Sequence, residues 1–168
     1  VTTHKIIENF LSEDYFKEIQ EAVVWNLDFP WFIQNDVVSD KDCLGDDKSH
    51  WYAMHLAYSK ACPRGKTYDI LVPFINSIPD LHALIRVKYN FYAQTPEIIN
   101  HGKHIDYDFK NKGAILYLNT CDGYTRLHDG TKIENIENRL LLFDPQKLHN
   151  SSTTTNSKGR FNININYL

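Results

Sequence analysis

Arg160-Phe161-Asn162-Ile163-Asn164-Ile165-Asn166-Tyr167 alternates polar and apolar residues without a break. Successive side chains of a strand point to opposite faces, so Arg160 and the three asparagines share one side, and Phe161, Ile163, Ile165 and Tyr167 share the other. Arg86-Val87-Lys88-Tyr89-Asn90-Phe91-Tyr92-Ala93 repeats the pattern, with Arg86, Lys88, Asn90 and Tyr92 on one face. A polar face turned inward is out of place in an ordinary sandwich, because a buried polar group without a partner is costly. It makes sense if the interior holds a polar ligand.

Working outward, Gly113–Asn119 and Arg139–Phe143 read as buried strands, with Asp144-Pro145 marking the exit of the second. Asp122-Gly123 reads as a turn, and Asp129-Gly130, flanked by 125–128 and 131–133, as a hairpin. Residues 98–106 read as extended, and the Ser/Thr/Asn run 151–157 as an exposed hairpin loop. Upstream, 4–11 is a strand leading into a helix that Ser12 caps and Glu13 and Asp14 favour, ending near Asn26. Trp25 and Trp31 are expected in core or helix–sheet contacts. Residues 29–35 read as a strand, Asp36–Lys48 as a solvated acidic loop without EF-hand spacing, 51–58 as a strand, and 68–78 as a second helix with another turn at 81–84. A lid is the alternative reading of the 36–50 loop. Helices at the front and short strands from about residue 85 predict an α+β, mainly β class: a double-stranded β-helix (jelly roll) backed by N-terminal helices. The expected organisation is a single domain over 1–168, with helical support over about 1–84 and a jelly-roll core over about 85–168.

With 168 residues and 42% hydrophobic content, the chain can bury a proper core. A net charge of −3 gives no whole-protein attraction to nucleic acid. Cys43, Cys62 and Cys121, odd in number and without metal-type spacing, read as free thiols in a reducing compartment. No apolar run is long enough for a bilayer and no signal-peptide pattern opens the chain, so a soluble cytoplasmic protein without membrane contact is expected.

Chemistry is expected at His104-Ile105-Asp106. Two residues apart on an extended segment, the imidazole and the carboxylate face one point, and a distant histidine would complete two histidines and a carboxylate. That set can bind one face of an octahedral iron(II) and leave three positions open. An H-x-D alone arises often by chance. His101 is a rival to His104 but lacks an acidic residue two positions on.

The order His104-x-Asp106, Tyr117-Leu118-Asn119, Gly123, Asn138-Arg139-Leu140-Leu141-Leu142-Phe143, His149 and Arg160 resembles the iron(II)/2-oxoglutarate-dependent dioxygenases, in particular the prolyl 4-hydroxylase-like branch. Phage-encoded members share the Y-L-N … N-R-L-L-L-F phrasing, so a viral source, and with it the host cytoplasm, is an expectation. The likeness is specific from about residue 84 onward. Tyr124 departs from it where the family often has a second glycine. The resemblance implies His104, Asp106 and His149 as metal ligands and as the catalytic centre. It implies Arg160 as the cation for the far carboxylate of 2-oxoglutarate, with Tyr117 assisting and Tyr92 as the tyrosine before the H-x-D. It further implies iron(II), 2-oxoglutarate and dioxygen, with ascorbate as an accessory, and hydroxylation of a C–H bond with release of succinate and carbon dioxide. A guanidinium suits a buried carboxylate because its planar fork stays charged when desolvated.

Substrate is not legible. A prolyl residue in a peptide or a small molecule leads. Two alternatives are a non-catalytic metal- or sugar-binding jelly-roll module, against which Arg160 speaks, and the same chemistry on a nucleobase or free small molecule. Asn90 and Asn162 are candidates to line the cavity, and Asn164 is expected simply to bond within the barrel.

Overall fold

The computed structural model describes residues 4–168. In chain order its elements are β1 (His4–Ile7), α1 (Glu13–Val23), β2 (Phe32–Gln34), a short 3-10 turn (Asp40–Asp42), β3 (Tyr52–Ser59), β4 (Cys62–Pro63), α2 (Lys66–Asp69), α3 (Val72–Ser77), β5 (Leu84–Ala93), β6 (Lys112–Tyr117), β7 (Cys121–Arg126), β8 (Lys132–Asn135), β9 (Leu140–Phe143), β10 (Asn150–Ser151) and β11 (Gly159–Tyr167). The fold is mainly β, with few helices. One sheet runs β1-β9-β6-β11-β5-β3-β2, with β4 on β3; a smaller one runs β10-β7-β8.

The two alternating segments are neighbours. β5 and β11 pair antiparallel, setting Arg160 opposite Tyr92, Asn162 opposite Asn90, Asn164 opposite Lys88 and Asn166 opposite Arg86. Their apolar faces therefore coincide as well. Val87, Tyr89, Ile163 and Ile165 join Ala114, Leu116 and Leu140 in one cluster with Phe16, Ile19 and Val23 of α1 and Phe74 and Ile75 of α3. The helices thus cover the outer side of the large sheet. Residues before β5 also add strands β1–β4 to that sheet.

Several local expectations are corrected. The first helix stops at Val23, and Trp25 beyond it is 66% exposed, so it is not a core residue. Trp31 does pack, against Phe29, Phe91 and Phe161. Ser12 holds the N-cap position without a side-chain cap bond. The second helix divides into α2 and α3, and residues 81–84 form no helical turn. The segment carrying His104 is extended but makes only isolated bridges, not a strand. Asp122-Gly123 lies inside β7, at a register irregularity, and is not a turn. Asp129-Gly130 does close the β7–β8 hairpin, with Gly130 at φ +87°. The run 151–157 is not an exposed loop: Ser152, Thr153 and Thr154 are fully buried. Its hydroxyls bond inward, as between Thr153 Oγ1 and Thr95 Oγ1 at 2.6 Å.

The loop between β2 and β3 is anchored too. Asp47 is buried, its carboxylate accepting a hydrogen bond from Arg126 and another from Asn150. A Cβ on Gly102 would come within 2.7 Å of Val38 Cβ and 2.9 Å of Cys43 Sγ, so this loop presses directly on the backbone two residues before His104. All three cysteines are free thiols. Among the described residues, no helix is long and apolar enough to cross a membrane.

Candidate metal centre

His104 and His149 are joined backbone to backbone. Each amide donates to the other's carbonyl at 3.0 Å, which forces the two imidazoles side by side with ring centroids 4.6 Å apart. The Asp106 amide donates to Pro145 O at 3.0 Å, fixing the carboxylate on the same side. As a result, ligand atoms of His104, Asp106 and His149 all lie within 4.8 Å of one another. His149 Nδ1 sits 3.0 Å from Lys147 O and His104 Nδ1 3.4 Å from Gly102 O. Carbonyls accept only, so each Nδ1 carries the proton and each Nε2 is left with a free lone pair for an ion. Burial pushes the His104 imidazole down to about 4, helped by nearby His149, and lowers His149 as well. Both are therefore neutral, ligand-ready imidazoles at pH 7.

Asp106 is clamped from two sides. Arg86 Nη2 donates to Oδ1 at 3.0 Å and Asn166 Nδ2 to Oδ2 at 2.8 Å, while Arg86 Nε holds Asn166 Oδ1 at 3.1 Å. Burial opposes the charge on this carboxyl. The Arg86 cation, His149 and the Asn166 bond outweigh that and hold it ionised well below the usual carboxylate range. Two neutral imidazoles and one carboxylate with ionisation secured fit a divalent first-row ion such as iron(II).

From this cluster a cavity of about 30 Å3 runs between the sheets, lined by Lys88, Asn90, Tyr92, Ile115, Thr125, His149, Ser151, Arg160, Asn162 and Asn164, among others. Arg160 closes its far end and is fully buried. Its Nε donates to Asn135 Oδ1 at 2.8 Å, Nη2 to Thr125 Oγ1 at 2.8 Å and Nη1 to Ser152 O at 3.3 Å. The rings of Tyr92 and Tyr117 lie 5.2 and 5.7 Å from its Cζ. All of these partners are neutral, and among the described residues no carboxylate pairs with Arg160. A buried guanidinium held by neutral groups is a socket for an anion. Gly123 makes room for it, since a Cβ there would stand 2.7 Å from Arg160 Cδ. That close approach, not a turn, is why a glycine occupies this position.

The sequence-predicted residues thus converge: His104, Asp106 and His149 at one end, Arg160, Tyr117 and Tyr92 at the other. Tyr117 Oη donates to Thr125 Oγ1 at 2.9 Å, so it steadies the hydroxyl that Arg160 also uses. Burial raises both the Tyr92 and Tyr117 phenols, which stay protonated donors. Asn164 lines the cavity beside Asn90 and Asn162, with Oδ1 buried and unpartnered, contrary to its expected role as an internally bonded residue. His101 is fully buried, bonds Ser151 Oγ at 2.8 Å through Nδ1 and is not among the three clustered ligands. Sequence reasoning missed Thr125, Asn135 and Ser152, which carry no pattern. It also missed the roles of Arg86 and Asn166, although their alternation already put them on the inner face.

The donor chemistry fits an iron(II) at one end and a dicarboxylate reaching Arg160. The volume is tight, as about 30 Å3 holds roughly two or three waters. A five-carbon diacid is larger, so the lining must open to admit it.

No family model and no curated protein matches the chain. Solved structures do. A viral collagen prolyl hydroxylase from Paramecium Bursaria Chlorella virus-1 is 15% identical with a TM-score of 0.58, the match covering 99% of this chain and 97% of that one. A Trichoplax adhaerens prolyl hydroxylase, solved with a hypoxia inducible factor peptide fragment, is 18% identical with a TM-score of 0.66, covering 99% and 83%. A Burkholderia pseudomallei oxidoreductase of the 2OG-Fe(II) oxygenase family is 11% identical with a TM-score of 0.68, covering 98% and 85%. The chain therefore has the fold shared by 2-oxoglutarate/iron(II) oxygenases, prolyl hydroxylases among them.

Proposed function

We propose that this protein is an iron(II)- and 2-oxoglutarate-dependent dioxygenase, built on a jelly roll, that hydroxylates a C–H bond, with a prolyl residue in a peptide as the leading substrate. The observation that carries the reading is Arg160, a fully buried cation with only neutral partners, at the far end of the cavity that begins at His104, Asp106 and His149. A metal-binding module alone has no use for such a cation. The fold neighbours named above, one of them solved with a peptide, support the choice of substrate class.

His104, Asp106 and His149 would hold the iron through one face and leave the opposite face open. Bound there, iron(II) with 2-oxoglutarate and dioxygen supplies an oxidising equivalent for a C–H bond, releasing succinate and carbon dioxide. The remaining work belongs to the chain. Arg160, oriented by Asn135, Thr125 and Ser152, binds the distal carboxylate, and its reach sets the length of diacid accepted. Arg86 and Asn166 keep Asp106 ionised and aimed. The buried walls, Ile115 among them, keep bulk water from the reacting atoms.

The test is succinate formation by the iron(II)-loaded protein supplied with 2-oxoglutarate and oxygen. Slow succinate release without added substrate, abolished in Arg160→Met, is expected. A protein that neither binds nor consumes 2-oxoglutarate in the presence of iron is not this enzyme.

A further inference from the structure

The inner face of the β5–β11 pair is a ladder of four rungs, and three carry side-chain hydrogen bonds, although Asn90 Oδ1 in one of them is buried without a partner. Arg160, opposite Tyr92, has three hydrogen bonds. Asn90 and Asn162 bond each other at 2.9 Å. Arg86 and Asn166 share Asp106. The fourth rung, Lys88 opposite Asn164, is incomplete on both strands. Asn164 Oδ1 is buried without a partner. Lys88 Nζ lies 5.5 Å from the centroid of the Tyr52 ring and, among the described residues, has no hydrogen-bond acceptor and no ion pair. Its nearest candidate acid, Asp106, is already engaged at both oxygens.

Lys88 nevertheless lines the same cavity as His104 and His149. It stands one rung from the clamp on Asp106 and two rungs from Arg160. Burial and the Arg86 cation both disfavour charge on its amine, and only Asp106 and the Tyr52 ring favour it. Burial and Arg86 push the Lys88 amine down to about 7, and an anion entering the cavity beside it would restore its charge and gain a charge-assisted contact. We infer that Lys88 is a second anion contact of the cavity, one that binds the metal-end carboxylate of the 2-oxo diacid, as Arg160 binds the distal one. This rests on the proposed function and adds to it a specificity-determining residue at the opposite end of the cosubstrate. Lys88 is the one charged group of the lining, among those described, that no hydrogen bond holds in place. Its four-carbon stem can therefore swing aside as the diacid enters.

Oxalate separates the two ends, because it offers a metal-end chelate and has no distal carboxylate to reach Arg160. Calorimetric titrations of oxalate and of 2-oxoglutarate would be run on manganese(II)-loaded protein, with protein in excess over metal. Wild type, Lys88→Met, Lys88→Arg and Arg160→Met would be compared, with melting temperatures as the check on folding. Lys88→Met is expected to weaken oxalate and 2-oxoglutarate alike, each about tenfold, with manganese affinity within about twofold of wild type. Lys88→Arg should restore most of the loss. Arg160→Met should weaken 2-oxoglutarate only. Unchanged oxalate affinity in Lys88→Met, or a loss confined to 2-oxoglutarate, overturns the assignment of Lys88 while leaving the proposed function standing. A wild-type holoprotein that does not take up 2-oxoglutarate overturns both.

Discussion

On the outer face of the β5–β11 pair, Val87, Tyr89, Ile163 and Ile165 are fully buried in an apolar cluster with helix side chains, the Tyr89 hydroxyl alone among these four donating a hydrogen bond, to Thr67 O. On the inner face of the same two strands stand Arg86, Lys88, Asn90 and Tyr92 against Arg160, Asn162, Asn164 and Asn166, most of them equally buried. The backbone is common to both faces and so is the exclusion of water; only the side-chain chemistry differs. Burial of apolar surface accounts for the outer face by itself. The inner face pays a desolvation cost that packing does not return, and it leaves acceptors on Asn90 and Asn164 unpartnered. The outer face therefore answers for stability and the inner face for binding, and substitutions should separate the two.

The largest separation is expected at the metal ligands. Asp106→Ala should lower manganese(II) affinity by more than about 100-fold, beyond what loss of an outer partner costs, as read by titration with a paramagnetic or calorimetric signal. Next comes the outer face. Ile165→Ala should cost about 2–5 kcal/mol in urea unfolding and leave metal affinity untouched, since it removes core contacts alone. An Ile165→Ala protein of normal stability, or one with impaired metal binding, would break the division of labour. Asn166→Ala sharpens it, because this residue shares a strand with Ile165 but faces inward. It should weaken metal binding about tenfold by freeing one oxygen of Asp106.

The remaining separation concerns acid. Burial holds His101 down to about 3 and His104 to about 4, and lowers His149 and His55. These groups are neutral in the fold but take up protons near 6.5 once unfolded. Their contribution is complete above about pH 6.5 and is lost as pH falls through their folded values. The urea midpoint of metal-free protein should accordingly drop between pH 7.5 and 4.5, and less steeply in His101→Asn. A flat profile would mean that these imidazoles are not kept neutral by the fold.

How far the sequence could be read follows the same division. Strict alternation exposed both faces of β11 and β5, since period-two patterning reports directly which residues are buried together. The resemblance marked His104, Asp106, His149 and Arg160, and the backbone pairing of 104 with 149 brings the histidines into range. Composition misled wherever polar residues were buried for a reason. Ser152, Thr153 and Thr154 read as solvent-exposed because their type usually is, yet all three are buried, and the Ser152 carbonyl accepts from Arg160. Gly123 read as a turn residue because glycine usually marks turns, yet it makes space for the Arg160 stem. Trp25 read as core by size and spacing, yet the helix ends just before it. Thr125 and Asn135, which orient Arg160, come from strands far from it in sequence and have no local signal.

One titration bears most directly on the idea that a single diacid is gripped at both ends. 2-Oxoglutarate would be added to wild-type protein with and without manganese(II), and to Arg160→Met with the metal present. Saturable one-to-one binding that needs the metal and falls about 100-fold or more without the Arg160 guanidinium is expected. Equal binding with and without metal, or an Arg160→Met protein that binds as tightly as wild type, would contradict it.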